Sequence, residues 1–408
     1  MKTLLLSNLF PPDYDGGYEM NAWKLARGLR GRGMDVEVAT SHFREGFVPV
    51  PDEPWVQRIF ELRLPRNLIP SDGFRNKVEI LRRLVYNEGL VKGNVAALRT
   101  FLKGRDYDVA YVFGLHNVGL AVTSALTERG IPSLWHFGDH YLGDRRGYWD
   151  KSATYRFAKK TFLKPVYEGE VGLELNHAAF VSRFLLDYYQ ERGVPLKETY
   201  ILPRGIEYAL GTDVDRPRDD PPTILMAGRI AEAKGFHIAI QALLALSERR
   251  PELGWRLRIV GGGEEAYLAE LRRMARPLGG RAEFLGKRPR EEVVEMLRRA
   301  TLFVSASVWG EPFANTIIEA LGAGTPLVGA DSGSILEVVE HGKSALVYPK
   351  DDPDALSREL ERALDDPTLR RSLAKNGVER IAESYTLDHI LDRTEGILAD
   401  VAATRRRS

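Results

Sequence analysis

The sequence predicts an α/β protein built from two doubly wound domains, and three observations carry that reading. Short apolar runs alternate with amphipathic helical stretches through both halves of the chain, the pattern of parallel strands covered on both faces. At 408 residues the chain exceeds one ordinary core, and a prior of about 150 residues per domain suggests two or three. Between the halves lies Gly211-Thr-Asp-Val-Asp-Arg-Pro-Arg-Asp-Asp-Pro-Pro222, a segment with almost no apolar content that reads as an interdomain linker.

The chain opens Met1-Lys-Thr-Leu-Leu-Leu-Ser-Asn. That run is too brief for the apolar core of a signal peptide and reads as a first buried strand, Thr3–Leu6. A helix over Gly17–Arg30 follows, with Leu25, Ala26 and Leu29 on its buried side. Further strands are expected at Val36–Thr40, Val109–Phe113, Ser133–His136 and Ala178–Val181. In the second half, strands at Thr223–Ala227, Leu257–Val260, Ala282–Leu285, Leu302–Ser305 and Leu327–Gly329 alternate with helices. Those helices are expected at Phe236–Arg249, Glu264–Ala275, Arg290–Arg298 and Phe313–Leu321. A last helix, Tyr385–Ala403, carries the apolar stripe Leu387, Ile390, Leu391, Ile397 and Leu398, and Arg405-Arg-Arg-Ser408 reads as a frayed tail.

Composition narrows the function. Hydrophobic content of 44% and charge of 28% describe an ordinary globular protein. A net charge of +1 gives no polyelectrolyte attraction to nucleic acid. The absence of cysteine excludes a disulfide framework, a thiolate nucleophile and a cysteine metal site. No run approaches the roughly 18 apolar residues of a spanning helix, so a cytoplasmic or peripheral inner-membrane location is expected.

The densest chemistry lies in Val308-Trp-Gly-Glu-Pro-Phe-Ala-Asn-Thr-Ile-Ile-Glu-Ala-Leu-Gly-Ala-Gly-Thr-Pro326. Glu311 and Glu319 flank the start of a helix, with Pro312 suited to its first position. Free N–H groups and a partial positive charge at such a start suit a phosphate. With the helix beginning there, Glu319 lies about two turns in, close to 12 Å along the axis at about 1.5 Å per residue.

This segment resembles the Glu-x7-Glu signature of retaining glycosyltransferases of the GT-B fold, in particular the family-four, group 1 type. The resemblance covers nearly the whole chain. It implies two Rossmann-like domains facing across a cleft, with the last helix (about 387–408) crossing back to the N-terminal domain. The boundaries read as 1–205 for the acceptor-binding domain, 206–222 for the linker and 223–386 for the nucleotide-sugar-binding domain. In that family the first Glu contacts the hydroxyls of the donor sugar and the second binds the ribose. Glu311 and Glu319 take those places, and Phe313, Ala314, Asn315 and Thr316 fall in the helix start that would meet the donor.

Gly228-Arg-Ile-Ala-Glu-Ala-Lys-Gly235 resembles the family's Gly-Arg-x4-Lys-Gly motif, with Arg229 and Lys234 at the matching places. A nucleoside diphosphate gains negative charge as the glycosidic bond breaks, and fixed cations stabilise it most in that state. Leu257-Arg-Ile-Val-Gly-Gly-Gly-Glu-Glu265 runs from a strand into a glycine-rich turn. Its glycines permit close backbone approach to a ligand or merely a tight turn. Gly262 matches the family's segment near the nucleotide, and Arg288 that framing the nucleobase. Two cations and a helix start leave no metal or other cofactor required. Asp213-Val-Asp215 has Asp-x-Asp spacing but sits in the linker.

Pro11-Pro-Asp-Tyr-Asp-Gly-Gly-Tyr-Glu19 resembles the family loop in which paired glycines, here Gly16 and Gly17, approach the donor phosphates and the acceptor. Glu19 could bind acceptor hydroxyls or cap the helix. His116, in Gly114-Leu-His-Asn117, resembles the active-site histidine facing the transferred sugar, and His136 and Asp139 are candidates for acceptor contacts. Departures occur at Arg204 and Glu207, where Asn and Asp are usual, and at Gly33-Met-Asp-Val36. No carboxylate of the first half identifies itself as a nucleophile. Double displacement and same-face substitution both stay open.

From Arg145 to Lys164 seven basic residues and one acid are interleaved with Tyr148, Trp149, Tyr155, Phe157 and Phe162. An anionic membrane surface and a solvated helix or loop are equally open there. The expected activity is transfer of a hexose from a UDP- or GDP-type sugar to a glycan or lipid-linked acceptor, in polysaccharide or glycolipid synthesis. The alternatives are a non-catalytic sugar-nucleotide-binding protein and a sugar-nucleotide epimerase on the same architecture.

Overall fold

The computed structural model describes residues 1–14, 16–44, 53–62, 89–144 and 175–405. The basic stretch 145–164 lies outside the described residues. The chain divides into two compact units, Met1–Leu202 with Leu391–Ser408, and Pro203–Ile390.

The first unit contains β1 (Lys2–Leu6), α1 (Gly17–Gly31), β2 (Asp35–Ser41), β3 (Val56–Phe60), β4 (Val109–Phe113), β5 (Ser133–Phe137), β6 (Leu175–Phe180), α2 (Arg183–Glu191) and β7 (Leu196–Ile201), with a short helix at Ser124–Glu128 between β4 and β5. The strands form a parallel sheet in the order β3-β2-β1-β4-β5-β6-β7. Leu4, Leu5, Leu6 and all five residues of β4 are sealed from solvent, as strands covered on both faces must be. Helix α1 buries Ala22, Leu25, Ala26 and Leu29, the i, i+3, i+4, i+7 stripe of a helix lying on a sheet.

The second unit contains β8 (Thr223–Ala227), α3 (Phe236–Arg249), β9 (Arg256–Val260), α4 (Glu265–Met274), β10 (Ala282–Gly286), α5 (Arg290–Arg299), β11 (Leu302–Ser305), α6 (Asn315–Gly322), β12 (Leu327–Asp331), β13 (Leu346–Pro349), α7 (Pro353–Asp365) and α8 (Pro367–Ser384). Its parallel sheet runs β10-β9-β8-β11-β12-β13. Leu257 and Ile259 from the sheet, Leu243 and Leu246 from α3 and Leu356 and Leu360 from α7 build its core. In both sheets the order reverses beside the first strand, between β1 and β4 and between β8 and β11. Crevices at strand C-termini open at such reversals.

Helix α9 (Leu387–Arg405) begins in the second unit and belongs to the first from Leu391 onward. It buries Ile390, Leu391, Thr394, Leu398 and Val401. Thr394, a polar residue, takes a place in the expected apolar stripe, and Ile397 is only half-buried. The C-terminus corrects the frayed-tail expectation at Arg405, which donates to the Tyr107 carbonyl at 2.6 Å and pairs with Asp106 at 2.9 Å.

The Pro- and Asp-rich segment 211–222 is folded onto the second unit. Arg216 donates to the Arg298 carbonyl at 2.8 Å, and Arg218 to those of Arg298, Ala300 and Gly324 at 3.0, 3.0 and 2.7 Å. These arginines satisfy carbonyls left over at the ends of α5 and α6. Burial, then the neighbouring Arg216 and Arg370, bring Arg218 down to about 10.

Helix α6 corrects another expectation. It starts at Asn315, because Ala314 is extended (φ −88°, ψ 102°), and Pro312 and Phe313 belong to the preceding loop. Glu319 is therefore only about one turn in, about 6 Å along the axis.

Candidate active site

At the reversal point of the second sheet, glycines let three loops approach one another. Gly228 (φ +143°) and Gly261 (φ +146°) stand so close that a Cβ on Gly261 would lie 1.8 Å from the Gly228 carbonyl oxygen. Ile230 donates its N–H to the Gly262 carbonyl at 2.8 Å. The close approach left open for the glycine-rich turn is thus to the 228–230 backbone. Gly235, left-handed at φ +66°, passes the end of β11, where a Cβ would meet the Ala306 oxygen at 1.8 Å. The Val308 N–H bonds to the Ala233 carbonyl at 3.0 Å. This lacing sets Lys234 beside Glu311.

Glu311 is 4% exposed. Its Oε1 accepts from the Lys234 ammonium and from the Ser307 hydroxyl. A carboxylate this buried needs such partners, since an unpaired one would cost several kcal/mol. Its backbone is gripped as well: the Ser334 N–H donates to the Glu311 carbonyl at 3.1 Å, and the Ser332 hydroxyl to that of Trp309. Arg229, Lys234, Ser307, Glu311 and Thr316 line one pocket, with Arg229 exposed at its edge.

Glu319 does not line that pocket. Its Oε1 lies 3.0 Å from Arg290 Nη2, and its carbonyl accepts from the Tyr208 hydroxyl. Burial and then the charge of Glu319 push the Tyr208 phenol above its ordinary range, while Arg290 and Arg298 pull it back. Arg204, where the family has Asn, donates to Asn315 Oδ1 at 3.1 Å. The Phe313 ring is buried, with its centroid 6.1 Å from that of Tyr385. Its backbone lies in the loop ahead of α6. Arg288 is exposed and lies 4.0 Å from Glu292.

The first unit has a matching pocket at its own reversal point, lined by Tyr18, Gly114, His116, His136, Asp139, Tyr141 and Leu142. Asn8 Oδ1 accepts from the N–H groups of Asn117 and Val118 at 3.0 and 3.1 Å, which fixes the orientation of the amide. Its Nδ2 then donates to His116 Nδ1 at 2.9 Å, so the neutral ring carries its proton on Nε2. Tyr18 bridges the strand ends, accepting from the Gly114 N–H at 3.0 Å and donating to the His136 carbonyl. A Cβ at Gly114 would lie 2.7 Å from the Tyr18 ring.

The three residues expected near an acceptor each make contacts within the first unit. The His136 side chain is 1% exposed, stacks on Phe113 with centroids 4.7 Å apart and meets the Tyr111 hydroxyl at 2.8 Å, so it is a core histidine. Glu19 is buried and accepts from the Gly16 N–H at 3.2 Å, which makes it the cap of α1. Asp139 accepts from the Tyr141 N–H at 3.0 Å and so ties its own turn. Gly16 and Gly17 open α1, and nothing lies within 4 Å of a Cβ placed on Gly16.

Asn8→Asp keeps the acceptor for both backbone N–H groups but turns an acceptor toward His116. Ring ¹⁵N shifts are expected to show Nε2–H in the wild type and a proton on Nδ1 in the variant. An Nδ1–H tautomer in the wild type would refute the assignment.

Two doubly wound parallel sheets, each with a pocket at its reversal point, define the two-domain GT-B fold. Residues 213–380 match the family model described as glycosyl transferases group 1, and residues 16–205 that of a glycosyl transferase 4-like domain. The chain belongs to the group 1 glycosyltransferases. It is 34% identical over 171 residues to a D-inositol 3-phosphate glycosyltransferase of Jonesia denitrificans, covering 41% of this chain and 40% of that one. A D-inositol 3-phosphate glycosyltransferase of Acidothermus cellulolyticus is 25% identical over 96% of this chain and 87% of its own. The chain spans about half the length of the first curated relatives it matches, from 40% to 60%. Anabaena HepE, solved with UDP and glucose, superimposes with a TM-score of 0.66 at 19% identity, covering 98% of this chain and 99% of that one. Among the described residues no helix is long and apolar enough to cross a membrane.

Proposed function

We propose that this protein transfers a hexosyl group from a nucleoside-diphosphate sugar to a hydroxyl of a glycan or lipid-linked acceptor, with retention and without a metal. The observation that carries the reading is the buried Glu311 held by Lys234 and Ser307, with Arg229 at the edge of the same pocket. In the reaction the bond from the sugar's anomeric carbon to the distal phosphate oxygen breaks, and charge gathers on that oxygen. Lys234 and Arg229 meet it as fixed cations. Glu311 orients the sugar hydroxyls, and the free N–H groups at the start of α6 add to the anion's field. That provision supports a diphosphate neutralised by protein groups alone.

HepE, a fold neighbour, was solved with UDP and glucose, which favours a nucleotide-sugar donor here. No carboxylate of the first half identifies itself as a nucleophile, which favours same-face substitution, in which the leaving phosphate takes the acceptor proton. A role in cell-surface polysaccharide or glycolipid synthesis, and membrane association through 145–164, rest on the sequence alone.

The test is Glu319→Ala. If Glu319 takes the ribose diol, affinity for the bare nucleoside diphosphate falls by about 10–100-fold, the worth of hydrogen bonds to a charged group. Unchanged affinity measured by calorimetry would remove its ribose role.

A further inference from the structure

Arg290 occupies a place that helix electrostatics alone would not choose. It is the first residue of α5, where the partial positive charge of a helix start disfavours a cation, while Glu291 and Glu292 beside it suit that turn. Its guanidinium instead reaches two carboxylates from separate parts of the second unit. Nη2 lies 3.0 Å from Glu319 Oε1 on α6, and Nε lies 3.9 Å from Glu207 Oε1, ahead of β8. The next residue, Tyr208, closes the arrangement by donating to the Glu319 carbonyl. The Glu319 side chain is only 17% exposed, so it needs a countercharge, and Arg290 supplies it.

We propose that Arg290 is a positioning residue for nucleotide recognition: it holds the Glu319 carboxylate in the orientation that accepts the ribose hydroxyls. The inference rests on the nucleotide-sugar reading above. A carboxylate can take two hydroxyl protons of a diol only when its plane is fixed. The guanidinium charge, with Nη2 3.0 Å from Oε1, biases the Glu319 side chain toward one orientation. Glu207 holds the arginine by charge, 3.9 Å from Nε, so that a ribose arriving at Glu319 need not displace it. Arg290 touches Glu319 and is not required to touch the ligand.

The experiment is calorimetry of UDP, GDP and ADP, each with its 2′-deoxy form, on the full chain. Wild type is expected to bind one base and to prefer its ribonucleotide by about tenfold or more, the worth of a hydrogen bond to a charged group. In Arg290→Gln that ratio should fall toward one, because the 2′-hydroxyl no longer finds an oriented carboxylate, and Arg290→Lys should restore part of it. If Arg290→Gln does not fold, Arg290→Met, which keeps the aliphatic stem without the charge, serves the same purpose. A melting temperature lowered with the wild-type ratio intact would mean that the ion pair only fastens the fold, and would overturn the proposal. Binding of no nucleotide by wild type would instead remove the reading of the site, and this inference with it.

Discussion

Replacing Lys234 by alanine should lower turnover at saturating donor by roughly 10²–10³-fold, the usual cost of removing one preorganised group that meets developing charge. The ammonium has two duties. In the proposed reaction it meets the departing diphosphate, and it is the countercharge of Glu311, which is 4% exposed. Losing it leaves that carboxylate with the Ser307 hydroxyl. The Lys234 side chain is 31% exposed, so water can enter the space it vacates. The stability lost should then stay below the roughly 3–5 kcal/mol of a fully buried broken pair. Lys234→Arg keeps the charge on a different fork and is expected to recover only part of the rate. Circular dichroism and a melt establish that the variant folds, and steady-state kinetics measure the loss. Wild-type turnover in a folded Lys234→Ala protein would remove the leaving-group assignment.

Gly333→Ala should be nearly as damaging although it touches no ligand. Gly333 sits at φ +63°, a left-handed conformation that costs a residue with a Cβ about 1–2 kcal/mol. Its added methyl would lie 2.2 Å from the Glu311 oxygen and 2.4 Å from the Glu311 nitrogen. Both are backbone atoms, so the loop carrying the carboxylate must move. A displacement of about 1 Å at a reacting geometry can cost about 10²-fold in rate. The expected result is a lowered melting temperature together with a loss of kcat that exceeds what the unfolded fraction explains. A variant with lowered stability but the wild-type kcat per folded molecule would show that the 332–334 loop does not set the position of Glu311.

The sequence was most legible where burial is complete. β4, β8 and β11 read as apolar runs because almost all of their residues are buried. The edge strands β3, β7 and β13 escaped notice. Leu196-Lys-Glu-Thr-Tyr-Ile201 is the clearest case, with its polar residues turned to solvent at the sheet's margin. Pro312 misled for a local reason: it fits a helix start, but Glu311 is tied to the 332–334 loop, and the chain enters α6 only after Ala314.

Within the candidate site, Lys234 and Glu311 could be named from residue type and motif, whereas their supports could not. Asn8 and His116 meet across 108 residues, and Gly333 closes on Glu311 from the loop after β12. Such pairs are set by sheet order and register, which residue spacing does not contain. His136 shows the converse: a strand-end histidine offered as a candidate for acceptor contacts is enclosed by Phe113 and Tyr111. Arg290 looked like an ordinary helix residue because its carboxylate partners lie 29 and 83 positions away in the chain.

In the proposed function the second unit holds a nucleoside diphosphate with protein groups alone. Isothermal titration of UDP, GDP and ADP and of their glucose and mannose conjugates, with and without EDTA, tests it most directly. One nucleotide series should bind selectively, with the same affinity in both buffers. Binding that vanishes with EDTA would contradict the metal-independent site, and no binding by any of them would contradict the nucleotide-sugar reading itself.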